Sequence, residues 1–141
     1  MLGKGKLLNH LTEAVERLSA TGHFANGLPF KTSQKISIST YLEILKSPKI
    51  ADEDKLSGFF ELATGVGKTA LFSGIIGHLY EVAEEIDSNI PRVTIVVPTT
   101  NLLEKTKNDL QEYGDIPSEI IGQYGHKEHQ LDFPITVITY D

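Results

Sequence analysis

The stretch Ala63-Thr64-Gly65-Val66-Gly67-Lys68-Thr69 constrains this chain more than any other. Before it, Ser57–Leu62 is a short apolar run with two aromatics, Phe59 and Phe60, and predicts a strand. After it, Leu71, Ile75, Leu79, Val82 and Ile86 recur on one helical face, so Lys68 to about Asp87 predicts a long helix. Strand, small-residue loop and helix in that order are the setting of a phosphate-binding loop. The glycines let backbone N–H groups turn inward around phosphate oxygens without a Cβ clash. The helix start aims its unsatisfied N–H groups and positive dipole end at the same anion. The Lys68 ammonium reaches the β- and γ-phosphates, and the Thr69 hydroxyl is the candidate Mg²⁺ ligand. One position departs from the general pattern, because Leu62 stands where the first glycine is expected.

The rest of the chain alternates helices and strands. Leu7, Leu8, Leu11, Ala14, Val15 and Leu18 predict an amphipathic helix over about 5–20. Gly22–Pro29 predicts a loop, with Gly27 and Pro29 as breakers. Ser33 is placed to cap a second helix that runs through Ile36, Tyr41, Leu42 and Leu45 until Pro48 ends it. Ala51–Lys55 is charged and predicts a surface loop, and Ser88–Pro91 a turn. Arg92–Val97 is a β-branched run of the kind found in strands buried on both faces. Thr100 or Asn101 caps a helix up to Tyr113, with Gly114 as its stop. Glu119–Tyr124 and Pro134–Tyr140 are further strands. The pattern predicts an α/β domain with a parallel sheet.

Composition excludes several classes. With 141 residues, 40% hydrophobic and 23% charged, the chain can bury one globular core and is not a disordered tail. No apolar run approaches the roughly eighteen residues of a membrane span, and no signal-peptide pattern opens the chain. No partnership with a membrane is expected. The absence of cysteine excludes disulfides, thiolate catalysis and Cys-ligated zinc, and agrees with the expected cytoplasmic location. The net charge is −6, with 8 basic and 6 acidic residues over 1–60 against 5 and 13 over 61–141. Nucleic-acid contact would therefore need a local surface, not the field of the whole chain.

Thr106-Lys107-Asn108-Asp109 fits the guanine-reading string of a GTPase, but it falls inside a predicted amphipathic helix, and no Asp-x-x-Gly occurs anywhere. A small-molecule kinase needs arginines on the transferring phosphate, and Arg17 and Arg92 are the only two. Both readings fall. His126 and His129 flank Glu128 in a polar loop without a fixed third ligand, and read as solvated.

Glu61–Thr69 resembles motif I of the superfamily-two helicases and translocases, in which the first position is commonly not glycine. Ile95–Leu103, a strand running into Pro-Thr and a helix with Leu-Leu, resembles motif Ia. Ile135–Asp141 resembles the later strand whose terminal threonine lies near nucleic acid, and Leu28–Gln34 resembles the adenine-reading element. The resemblance covers residues 28–141, which it makes part of a RecA-like P-loop NTPase domain, an α/β fold with a parallel sheet flanked by helices and incomplete at its C-terminal side. Residues 1–27 are then an N-terminal helical extension.

Carried over residue by residue, the resemblance implies ATP and Mg²⁺ as ligands. Gln34 hydrogen-bonds the adenine edge, and Thr64, Gly65, Val66, Gly67, Lys68 and Thr69 hold the triphosphate and Mg²⁺, with Lys68 and Thr69 as the catalytic pair. Phe30 either packs against the base or belongs to the core. Thr99 and Thr100 either contact a nucleic-acid phosphate or cap their helix, and Thr139 is either a similar backbone contact or an ordinary strand threonine. The implied partner is nucleic acid, DNA being favoured over RNA.

Hydrolysis in the family needs an acidic pair after a second buried strand. No Asp-Glu-x-His box occurs; Asp52-Glu53-Asp54 precedes the phosphate loop, and Asp141 belongs to the earlier nucleic-acid motif. The chain is therefore expected to be the front of a longer ATP-dependent helicase or translocase, binding nucleotide weakly and hydrolysing it negligibly by itself. The alternative is a stand-alone nucleotide-binding interaction module without hydrolysis.

Overall fold

A computed structural model describes residues 4–49, 67–86, 91–125 and 129–140. The element order is α1 (Lys4–Thr21), α2 (Thr32–Lys46), α3 (Lys68–Ile86), β1 (Val93–Val97), α4 (Thr100–Gly114), a 3-10 turn (Ser118–Ile120), β2 (Ile121–Tyr124) and β3 (Ile135–Thr139). The expected strand at Ser57–Leu62 and the charged loop at Ala51–Lys55 lie outside the described residues.

The strands form a parallel sheet in the order β1-β3-β2. Val97 pairs with Thr139, and Tyr124 with Ile138, so all three strands end at one edge of the sheet. In parallel α/β sheets the carboxyl edge is where ligands bind. The fold is the expected α/β arrangement of parallel strands flanked by helices.

Helix α3 is apolar on more than one side, and this puts it at the centre. Leu71 and Ile75 join Val15, Leu18, Phe24, Phe30, Ile38 and Leu45 in a core shared with α1 and α2. Ile76 and Tyr80 join a second core with Leu103 and Leu110 of α4 and Ile121, Ile135 and Val137 of the sheet. The Tyr80 hydroxyl donates to the Pro91 carbonyl at 2.6 Å, which ties the end of α3 to the approach to β1. Helix α1 packs on α3, with Arg17 reaching Glu81 at 3.1 Å and Glu85 at 2.7 Å.

Glycines set the α3–α4 crossing. A Cβ on Gly77 would overlap the Gly114 carbonyl, and one on Gly114 would overlap the Ser73 carbonyl. Gly114 is the last residue of α4, and the left-handed cap is Asp115 (φ 52°, ψ 40°), whose N–H returns to the Gln111 carbonyl. The glycine is needed for close approach and aspartate takes the turn, which it tolerates better than most residues.

Three local expectations need correction. Ser33 sits inside the first turn of α2, and the N-cap position is Lys31. The capping hydrogen bond comes from Gln34, three residues on, which reaches back to the Lys31 N–H. Neither Thr100 nor Asn101 is the N-cap of α4, a position held by Thr99. Strand β1 is not buried on both faces: Thr94 is exposed and Val96 is 58% exposed. The expected end of α2 holds, since Ser47 before Pro48 is extended (φ −68°, ψ 136°), as the proline ring demands.

Candidate functional site

Gly67 opens α3. Its φ of +80° lies in the left-handed region, which glycine enters without a Cβ penalty. Its carbonyl accepts the Leu71 N–H at 3.1 Å, the first helical bond of α3. Lys68 is exposed and Thr69 half-buried in the turn that follows. N–H groups in a first helical turn have no acceptor four residues back, so this turn presents donors to an anion.

Gln34 packs against that turn. Its side chain is 2% exposed, and its Nε2 donates to the Gly67 carbonyl at 3.1 Å. Its Oε1 accepts the Lys31 N–H at 2.8 Å. A carbonyl can only accept and a backbone N–H can only donate, so the two partners fix the amide orientation. A Cβ on Gly67 would overlap the Gln34 amide, so Gly67 is constrained by its φ and by its neighbour. The amino-terminal ends of α2 and α3 meet at one side chain, and both helix dipoles favour negative charge there.

Of the sequence-predicted nucleotide residues, Gln34, Gly67, Lys68 and Thr69 are thus gathered at the start of α3, with Gln34 bonded to Gly67. Thr64, Gly65 and Val66 lie outside the described residues. Phe30 is a core aromatic, 7% exposed, with its ring edge-on to Phe24 at 4.9 Å.

The three threonines form a second group at the carboxyl edge of the sheet. Thr99 and Thr100 are exposed at the start of α4. Thr99 holds the N-cap position through its backbone, its carbonyl accepting the Leu102 N–H at 3.1 Å, while its hydroxyl makes no capping bond. Thr139 ends β3 opposite Val97 and is 9% exposed.

The guanine-like string is inside α4, with Thr106 buried against the core and Asp109 paired to Lys105 at 2.9 Å. His126 and Glu128 lie outside the described residues, and His129 packs its ring against Tyr124. Among the described residues, no group of histidines and carboxylates is placed to hold a metal ion. No described helix is long and apolar enough to cross a membrane. The Gln34–Gly67 bond was missed from sequence; the three-residue spacing from Lys31 to Gln34 was the available signal for its capping half.

No curated protein and no solved structure matches the chain. The family model described as type III restriction enzyme, res subunit, matches residues 11–141. That match runs from within α1 to the end of the sheet and includes both groups of candidate residues. The chain belongs to the type III restriction enzyme res subunit family, a helicase-like family of P-loop NTPase domains.

Proposed function

We propose that the chain holds ATP and Mg²⁺ at the start of α3 and meets a nucleic-acid backbone, DNA in preference to RNA, at the carboxyl edge of the sheet. The observation that supports this is the Gln34–Gly67 hydrogen bond, which joins the segment Leu28–Gln34 to the glycine that opens α3. The donor set suits the group: a left-handed glycine without a Cβ, a helix amino terminus and a lysine for the phosphates, and a threonine hydroxyl for Mg²⁺. Bound ATP supplies the phosphoryl chemistry, while these residues bind and orient.

Lys68 neutralises the β- and γ-phosphates and Thr69 ligates Mg²⁺. Gln34 is 2% exposed, and what its two backbone bonds leave by valence, one oxygen lone pair and one N–H, is what it would turn to the adenine edge. Thr99 and Thr100 offer hydroxyls and a helix start to a phosphate, with Thr139 beside them at the end of β3. These residues bind and orient nucleotide, and hydrolysis needs in addition an acidic pair, which is not among them.

Nucleotide discrimination tests this reading. Wild type is expected to prefer ATP over GTP in Mg²⁺, and Gln34→Ala to lose most of that preference. Thr100→Ala is expected to weaken single-stranded DNA binding without changing ATP affinity. Equal binding of ATP and GTP by wild type would remove the adenine role, and an unchanged DNA affinity in Thr100→Ala would remove the backbone contact.

A further inference from the structure

Tyr124 and His129 form an aromatic pair at the carboxyl edge of the sheet that the nucleotide site does not use. Their ring centroids are 5.2 Å apart with planes at 37°, and Tyr124 remains 37% exposed. The pair sits on a pinned base. The Gln130 N–H donates to the Gln123 carbonyl at 2.9 Å, and the Gln130 side-chain oxygen accepts the Gln123 N–H at 3.0 Å. The Gln123 side chain in turn donates to Glu104 of α4 at 2.9 Å.

Gly125 fixes where this base lies. A Cβ there would come within 2.8 Å of Leu103 Cδ1, in the first turn of α4, and within 2.9 Å of Thr139 Cγ2. The end of β2 at Tyr124 and Gly125 is therefore pressed against the two elements that present Thr100 and Thr139.

We infer that the Tyr124–His129 pair is a stacking platform for a base of single-stranded nucleic acid whose backbone runs over the start of α4. The inference rests on the proposed nucleic-acid contact and narrows it to a strand with an unpaired base. Every base has a π-face, so such a platform adds affinity without reading sequence. Thr99 and Thr100 hold phosphates, while the ring pair holds what hangs from them. A purely structural ring pair would stabilise the end of β2 and treat strands with and without bases alike.

Fluorescence anisotropy of the full chain separates these roles, with two labelled DNA single strands of equal length, one of mixed sequence and one abasic throughout. Tyr124→Ala is expected to weaken the mixed strand about tenfold and leave the abasic strand unchanged, since base–aromatic stacking is worth about one to two decades of affinity. Tyr124→Phe, which keeps the ring, is expected to match wild type on both strands and guards against loss of folding. Equal losses on both strands in Tyr124→Ala, or none on the mixed strand, would overturn the platform. If wild type binds both strands equally, the backbone contact stands and the platform falls. If it binds neither, the nucleic-acid reading falls with it.

Discussion

The Gln34 amide donates to the Gly67 carbonyl at 3.1 Å, across 33 positions of sequence. Through its other end it closes the first turn of α2 on the Lys31 N–H. One buried side chain thereby sets the spacing between two helix starts whose dipoles point at the same place. Moving either helix breaks a pair of bonds that needs a donor and an acceptor on one side chain, which the amide supplies together.

Gln34→Glu tests that requirement. A carboxylate can still accept from Lys31, but its second oxygen would face the Gly67 carbonyl with no proton between them. We expect a loss of about 2 kcal/mol at neutral pH, the order of an unsatisfied buried polar pair. Protonation would restore a donor and relieve repulsion, so the glutamic acid pKa is raised by folding and stability recovers as pH falls. Thermal melts from pH 7 to pH 5 check this, and a variant as stable as wild type at neutral pH would contradict it.

Gly67→Ala is expected to cost about 3 kcal/mol, from a left-handed φ and the lost Gln34 bond combined. Gly27 provides the control: its φ is +88° but a Cβ there would meet nothing within 4 Å. Gly27→Ala is expected to cost about 1 kcal/mol for the backbone alone. Urea denaturation of both variants measures the difference, and equal losses would mean that Gln34 exerts no constraint on Gly67.

Gly77→Ala is expected to destabilise the fold by about 2 kcal/mol, because the new Cβ would land on the Gly114 carbonyl. The sign is informative, since glycine to alanine inside a free helix gains stability. A neutral or stabilising result in chemical denaturation would show that α3 and α4 can part at little cost.

Acid weakens the contact between α1 and α3. Hydrogen bonding to Arg17 holds the Glu85 carboxyl below the usual carboxylate range. Its contribution is present above the unfolded carboxylate pKa and is lost as pH falls through the lower folded value. Burial pushes His78 below the ordinary imidazole value of 6.5, opposed by Glu81 and aided by Arg17. The unfolded chain therefore takes up that proton first, and stability falls as pH drops through about 6.5. His78→Gln is expected to flatten the melting temperature between pH 7.5 and pH 5.5, and Glu85→Gln to flatten it at lower pH. An unchanged slope in His78→Gln would contradict the assignment.

The helices were legible because their apolar spacing is a direct consequence of one buried face, as Leu71, Ile75, Leu79 and Val82 show in α3. Sequence did not reveal that Ile76 and Tyr80 are buried on a second side, because periodicity marks one stripe and α3 has two neighbours. Arg92–Val97 announced a strand through its β-branched residues, but composition cannot say what covers each face, and Val96 is exposed. By residue type, Ser33 and Gly114 are competent as cap and stop. The structure assigns the capping bond to Gln34 and the left-handed turn to Asp115, since tertiary packing decides which of several competent residues takes each role. Only the family resemblance distinguishes Gln34 in the sequence, and its bond to Gly67 depends on a fold that no local pattern encodes.

If the start of α3 is a nucleotide site, calorimetric titration of ATP into the chain with Mg²⁺ detects it. Wild type is expected to bind measurably, and Lys68→Ala to lose at least tenfold in affinity while the melting temperature of the free protein stays unchanged. Binding of equal strength in Lys68→Ala, or no binding by folded wild type, would contradict it.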